Sequence, residues 1–273
     1  MKYIFIILVG LILFLSFNGF AGQAGEKRVD ESAVGEIRFL FDSKSPPFAF
    51  KEGDKLVGFD IELGEAIGRA LERNVRWIDV PFDIRNYANI LESDGADAAL
   101  SAITITKIRK YYVDFTRPYF STSLAVAARP DVEWDQRSFA RGLEGKIVGV
   151  MKGTTAEDWV RRNLKASVKT YASPLSLVRA LKEGGNLAFA VLIDKAILDY
   201  LQFCTSSMCQ TQFIIVEKGL IQEDYGIATS NGAYDIITVL NGALQQIELN
   251  GEYDRIYEKW FSKKDPDFTP EEK

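Results

Sequence analysis

Apolar and polar positions alternate along the chain with two periods, and their succession predicts strand after helix after strand. Residues 37–41 carry the period-two pattern of a half-buried strand that ends at Asp42. Pro46 and Pro47 deny helix and ladder donors to the loop that follows, and a short strand at 48–51 with a turn at 52–55 makes a hairpin. Asp60 is then placed to cap a helix with the apolar stripe Ile61, Leu63, Ala66, Ile67, Ala70 and Leu71, with Glu62 and Glu65 near its positive end. A strand at 75–80, a helix at 87–91 and a strand at 96–100 follow. A second cycle runs through a strand at 146–151, a helix at 156–164, a strand at 167–171, a helix at 174–181 and strands at 187–193 and 213–216. A long amphipathic helix spans 234–249 and stops at Asn250-Gly251, a left-handed stop signal, before a last helix at 252–261. This order predicts an α/β protein of mostly parallel sheets flanked by helices.

The same order predicts two lobes. The apolar run LAVAA at 124–128 gives way to Arg129, Pro130 and Asp131, a composition shift expected to mark the first crossing between lobes. Residues 217–224 form a return segment, and 225–229 are expected to rejoin the first sheet. Lobe 1 is therefore assigned to 33–128 and 219–265, lobe 2 to 129–218, with a polar tail at 266–273. Binding sites in such sheets lie beyond the carboxyl ends of the strands. Asp42, Ile84 with Arg85, and the segment from Ser101 to Thr104 all fall at such ends and are expected on one cleft wall. The turn Gly153-Thr154-Thr155 can hold an anion on its free amides or serve as an ordinary helix cap. Asp194 closes an apolar strand, where it can cap the next helix or face the cleft; the strand alone favours the cap.

Composition narrows the classes. With 273 residues, 47% of them hydrophobic, the chain can bury two modest cores or one large one. It begins with Met1, Lys2, a short apolar run over 3–17 and a small-residue group from Ala21 to Ala24, the layout of a secretory signal at 1–24 cleaved after Ala21 or Ala24; an uncleaved anchor is the alternative. No cysteine lies near that point, so a soluble periplasmic product without a lipid anchor is expected. Lysines and arginines number 33 and acids 38, a net charge of −5, which speaks against a nucleic-acid partner. Cys204 and Cys209 can close a short loop worth about 2 kcal/mol in an oxidising compartment, or stay free thiols; the export layout favours the disulfide. The absence of histidine removes the Ser-His-Asp and Cys-His arrangements and the common zinc sites, so no metal and no cofactor are expected.

The candidate chemistry gathers at 101–120, SAITITKIRKYYVDFTRPYF. A small-residue turn, Thr104, Thr106 and the planar fork of Arg109 follow an apolar strand directly, which suits a carboxylate; a surface arginine beside a helix cap has the same spacing. This segment resembles the corresponding stretch of bacterial extracellular solute-binding proteins that capture polar amino acids. PPFAF at 46–50, LVGFDIEL at 56–63, GKIVGVMKGTT at 145–155, LIDKAI at 192–197, YGIAT at 225–229 and NGEYDRIYEKWF at 250–261 are similar to that family's other landmarks, in its order.

The resemblance implies a two-lobe periplasmic binding protein fold (type II) with two interlobe crossings. It also implies capture of an amino acid or similar small zwitterion in the cleft, delivery to a membrane ABC permease, and a monomer. Arg109, Thr104 and Thr155 would hold the ligand's α-carboxylate, and the backbone at Ala102 with Asp194 its ammonium. The pocket for the ligand side chain departs from the family: Ser45 and Ile84 stand where aromatic walls are usual and Arg85 where an aspartate is usual. Arg85 would favour an acidic ligand side chain, Asp42 an amide or a cation. A ligand-sensing module is the alternative role. A periplasmic dehydratase of the same fold is another, but such enzymes carry an acid three residues after the lobe-2 aspartate, where this chain has Ile197.

Overall fold

The computed structural model describes residues 35–134, 138–203 and 212–262. The expected signal at 1–24, Cys204 and Cys209, and the tail at 266–273 lie outside the described residues. In chain order the strands and helices are β1 (Glu36–Phe41), β2 (Lys44–Ser45), β3 (Ala49–Glu52), β4 (Lys55–Val57), α1 (Phe59–Ala70), β5 (Asn74–Asp79), α2 (Ile84–Glu92), β6 (Ala98–Ala99), β7 (Val113–Phe115) and β8 (Phe120–Ala128). Then come α3 (Phe139–Gly142), β9 (Ile147–Met151), α4 (Thr155–Asn163), β10 (Ser167–Tyr171), α5 (Pro174–Glu183), β11 (Ala190–Asp194), α6 (Lys195–Phe203), β12 (Ile214–Glu217), β13 (Gln222–Tyr225), β14 (Ala228–Ser230), α7 (Tyr234–Leu249) and α8 (Glu252–Tyr257). Among the described residues no helix is long and apolar enough to cross a membrane.

Two sheets carry the fold. The first has the order β5-β1-β6-β14-β7, and the second β10-β9-β11-β8-β12 with β13 paired to β8. Each has a parallel heart, β5-β1-β6 in one and β10-β9-β11 in the other. Strands on the crossings make both sheets mixed: β14 is antiparallel to β6 and β7, and β8 is antiparallel to β11, β12 and β13. The run at 124–128 is thus the inner half of β8, already inside the second sheet, and the chain leaves the first sheet earlier, after β7. Its composition resembles a crossing because a strand buried on both faces loses the polar half of its alternation.

The two crossings lie side by side. Phe120 to Ser123 of β8 pair with Gln222 to Tyr225 of β13, and the approach is tied by the Tyr119 amide to the Tyr225 carbonyl (2.9 Å) and the Thr116 amide to the Ile227 carbonyl (3.0 Å). An aromatic cluster packs around this pair. Phe48 meets Phe120 edge-on at 5.1 Å and Tyr225 at 5.3 Å, Phe59 meets Phe120 at 5.4 Å, and Phe261 closes on Phe120 at 4.8 Å. Edge-to-face and tilted pairs at these separations add to the area the rings bury. The crossing is therefore held by apolar packing from the loop before β3, from α1 and from the C-terminal turn, and it is placed directly beneath the site.

Asp60 does not cap α1. The helix starts at Phe59, two residues earlier than a cap at Asp60 requires, behind Gly58, whose φ of 136° is open to glycine but strained for any L side chain. A Cβ there would stand 2.1 Å from the Phe48 carbonyl oxygen. Gly58→Ala is expected to cost more than about 3 kcal/mol through strain and backbone displacement. Denaturant unfolding checks it, and a loss inside the ordinary range for a surface substitution would show that the turn can relax.

Candidate functional site

Arg109 comes from a short 3-10 turn that leads into β7, and although it carries a charge it is only 7% exposed. Its Nη1 donates to the Thr104 carbonyl (2.9 Å), its backbone amide donates to Thr106 Oγ1 (3.1 Å), and its guanidinium lies over the Phe82 ring at 5.1 Å. The carbonyl and the ring fix the fork, and the amide bond fixes the turn that carries it. Nη2 reaches across to the Gly153 carbonyl of the second lobe at 3.4 Å. Burial pulls the guanidinium below its ordinary range, while Glu223, Asp194, Tyr225 and Asp158 push the other way; the group stays charged and faces several acids.

The second wall is built by α4 and by the ends of β11 and β13. Thr154 caps α4 by accepting from the Glu157 amide, and the Gly153 amide donates to Glu157 Oε2 (2.9 Å). This wall's turn therefore spends a backbone donor on its own helix and presents the Thr155 hydroxyl instead. Thr155 Oγ1 donates to Glu223 Oε2 at 3.0 Å. Asp194, partly buried at the end of β11, accepts from the Tyr225 hydroxyl at 2.6 Å, so its carboxylate reaches the crossing. Burial raises its carboxyl above the usual range, against the lowering pull of Tyr225 and Arg109.

Of the residues singled out from sequence, the structure brings Arg109, Thr104, Thr155 and Asp194 into one group across the lobes. Ala102 stands beside them in the left-handed region, φ 48°. Its amide is turned inward to Asp60 Oδ2 (2.7 Å) and the Tyr119 hydroxyl oxygen (3.2 Å), so only its carbonyl can meet an ammonium. Asp42 is used by its own lobe: Oδ1 accepts from the Lys44 amide (3.0 Å) and Oδ2 from the Phe82 amide (2.9 Å), which makes it a support for the Phe82 ring under Arg109. Arg85 does not join the group. It lies on the exposed side of α2 with its guanidinium over the Tyr112 ring at 5.4 Å.

Two residues of the site went unnoticed in the sequence. Asp83 caps α2 by accepting from the Arg85 and Asn86 amides, so the helix begins at Ile84, which stands where the family's aromatic is usual, and the residue before the cap, Phe82, puts a ring under Arg109. The other is Glu223, 1% exposed at the centre of the crossing. Burial, then the nearby Asp194, push its carboxyl up to about 7, against hydrogen bonds from Thr104 and Thr155 and the charge of Arg109. A period-two signal was available: Glu223 and Tyr225 share the buried face of β13 while Gln222 and Asp224 lie on the other.

A small group of charged and hydroxyl side chains, drawn from both lobes and sealed by rings at the crossing, can pair the two charges of a small zwitterion. The sequence profile of the bacterial extracellular solute-binding proteins, family 3, matches residues 37–263. The chain belongs to that family. This solute-binding protein is 30% identical over 221 residues to the arginine-binding periplasmic protein of Mannheimia haemolytica, a match covering 80% of this chain and 88% of the relative. It is 27% identical over 256 residues to the L-cystine-binding protein TcyJ of Escherichia coli, covering 93% and 92%. Among solved structures, an ancestral arginine-binding protein bound to glutamine aligns with a TM-score of 0.73 at 32% identity, over 84% of this chain and all but 1% of the other, 99% being covered. These likenesses and the two mixed sheets agree on the two-lobe periplasmic binding protein fold.

Proposed function

We propose that this protein captures an amino acid between its lobes and hands it to an ABC permease in the membrane, without chemistry on the ligand. One observation carries this: Arg109 from the first lobe is buried and Asp194 from the second, partly buried, acts on it electrostatically, so opposite charges from the two walls face a shared centre. A zwitterion leaving water needs both its charges paired, and only the closed protein offers both. Arg109, Thr104 and Thr155 would take the carboxylate; Asp194 and the Ala102 carbonyl the ammonium. The arginine- and cystine-binding relatives support an amino acid as the ligand class. Ile197, 5% exposed within the core, offers no acid for a dehydratase.

Opening and closing would be a rotation about the β8–β13 pair, with ligand binding favouring the closed form through its extra contacts. The test is a thermal-shift screen of the amino acids together with cystine, in buffer free of other carboxylates. At least one amino acid should raise the unfolding midpoint in a concentration-dependent way, as mass action requires. A screen in which none does so, with the protein folded, would remove the capture role.

A further inference from the structure

The groups proposed to hold a ligand's carboxylate already hold one. Glu223 accepts from Thr155 Oγ1 at 3.0 Å, is hydrogen-bonded by Thr104 and is drawn by the charge of Arg109, while 1% of its surface reaches solvent. These are the same three side chains, and the carboxylate between them belongs to the protein. We propose that Glu223 is a built-in competitor for the carboxylate cradle, and that an amino acid binds only as Glu223 takes up a proton. This rests on the capture reading and adds to it a specificity-determining residue.

The chemistry is that of two carboxylates sharing one cation. A ligand carboxylate entering beside Arg109 meets Glu223, and two like charges at close range cannot both stay ionised in a buried site. The least disruptive resolution adds one proton from solvent to Glu223, which then donates a hydrogen bond to the ligand's carboxylate oxygen while Arg109 keeps the charge. The surroundings of Glu223 favour this. Asp194 at the end of β11 repels its charge, Arg109 from the 3-10 turn attracts it, Tyr225 on its own strand is neutral and bonded to Asp194, and Asp158 on α4 acts electrostatically on Arg109. With its carboxyl pushed up to about 7, Glu223 is close to the protonated state before any ligand arrives. Binding should therefore strengthen as pH falls through neutrality. A ligand without a carboxylate would have no reason to displace Glu223, so the device selects for anionic ligand groups able to share its proton.

The experiment is calorimetric titration of the wild type and Glu223→Gln with whichever amino acids the screen selects, L-arginine and L-cystine included as fixed probes, between about pH 6 and pH 8. Glutamine keeps the size of the side chain and imitates its protonated form. The wild-type Kd is expected to weaken by up to about tenfold per pH unit above the Glu223 titration, as one linked proton requires. Glu223→Gln should bind with little pH dependence and more tightly than the wild type at the alkaline end. An identical pH profile in both, or weaker binding by Glu223→Gln at the alkaline end, overturns the proposal while leaving capture standing. A second measurement needs no ligand: the effects of Arg109→Met and Glu223→Gln on the unfolding midpoint should be non-additive, and additive effects would show that Glu223 does not occupy the cradle. If that coupling holds but neither form binds any amino acid, capture itself fails and the competitor role falls with it.

Discussion

Arg109→Ala is expected to abolish ligand-induced stabilisation and to destabilise the ligand-free protein as well. The binding loss follows from the geometry. Among the described residues, the guanidinium is the one cation acting on both Asp194 and Glu223, and it is held there by the Thr104 carbonyl, the Phe82 ring and the Gly153 carbonyl. Truncating one partner of a buried, hydrogen-bonded charge pair costs about 2–5 kcal/mol in affinity, or roughly three hundredfold in Kd near the middle of that range. The stability loss follows from what remains. Without the arginine, Asp194 and Glu223 lose the charge that opposes their desolvation, and breaking a buried pair from one side costs about 3–5 kcal/mol. Both acids respond by protonating, so the variant should recover part of its stability as pH falls. Arg109→Lys keeps a charge but loses the fork that spans both lobes, and should give weakened, not absent, binding. Thermal midpoints with and without the selected amino acid separate the two effects. An unchanged shift in Arg109→Ala would take Arg109 out of the site.

The alternation of periods was enough to find the elements whose burial follows from the chain itself. The strand at 167–171 and the helix at 234–249 have the same bounds in the sequence reading and in the structure, and Gly251 adopts the left-handed φ of 74° that the Asn250-Gly251 stop demands. The Thr104–Arg109 segment fits a carboxylate cradle and a surface arginine beside a cap alike, and only the resemblance to the family favours the cradle; the burial of Arg109 was not readable from its spacing. What the sequence concealed depends on tertiary neighbours. Asp60 has the chemistry of a cap, but Gly58 lets the chain turn into α1 earlier and makes Asp60 the second residue of the helix, where it is buried. Asp42 and Arg85 lie at strand and helix ends where cleft residues belong, yet one is consumed by the Lys44 and Phe82 amides and the other rests on Tyr112. Glu223 was hidden in a segment read as a return loop, since an acid followed by an acid and a tyrosine resembles a solvated turn unless its period-two partner is known to be buried.

Asp60→Ala is the second substitution expected to have a large effect, at a residue that touches no proposed ligand. Asp60 is 0% exposed, and its two oxygens accept from the Ala102 amide at 2.7 Å and the Tyr119 hydroxyl at 3.0 Å. Tyr119 is in turn held by the Tyr253 hydroxyl on its carbonyl at 2.6 Å, so the carboxyl ties α1, the left-handed turn at Ala102, the crossing and α8 together. Alanine leaves the Tyr119 hydroxyl without its acceptor and the Ala102 amide with only its longer bond to the Tyr119 oxygen, a cost of about 1–3 kcal/mol for the hydroxyl and a smaller one for the amide. Asn is not a neutral replacement, because its amide nitrogen would face one of those donors. The turn at Ala102 would then lose the shorter of the two bonds that hold its strained φ, and the Ala102 carbonyl would drift from the ammonium position, so binding should weaken in step with stability. The pH dependence separates this from a simple cavity. Burial pushes the Asp60 carboxyl up to about 7 although both hydrogen bonds pull it down, so the folded protein holds a proton that the unfolded chain releases near its ordinary carboxylate range. Folded and raised in this sense, Asp60 favours the native state at low pH, and that advantage is lost as pH climbs from about 4 to about 7. Glu223 contributes in the same direction and over the same interval. The wild type should therefore lose stability across that range, the Asp60 variants should lose less of it, and the double variant with Glu223→Gln should have the flattest profile. Denaturant midpoints at several pH values measure this, and a wild-type profile that stays flat from about pH 4 to 7 would mean that these two acids are ionised in the folded state like any at the surface.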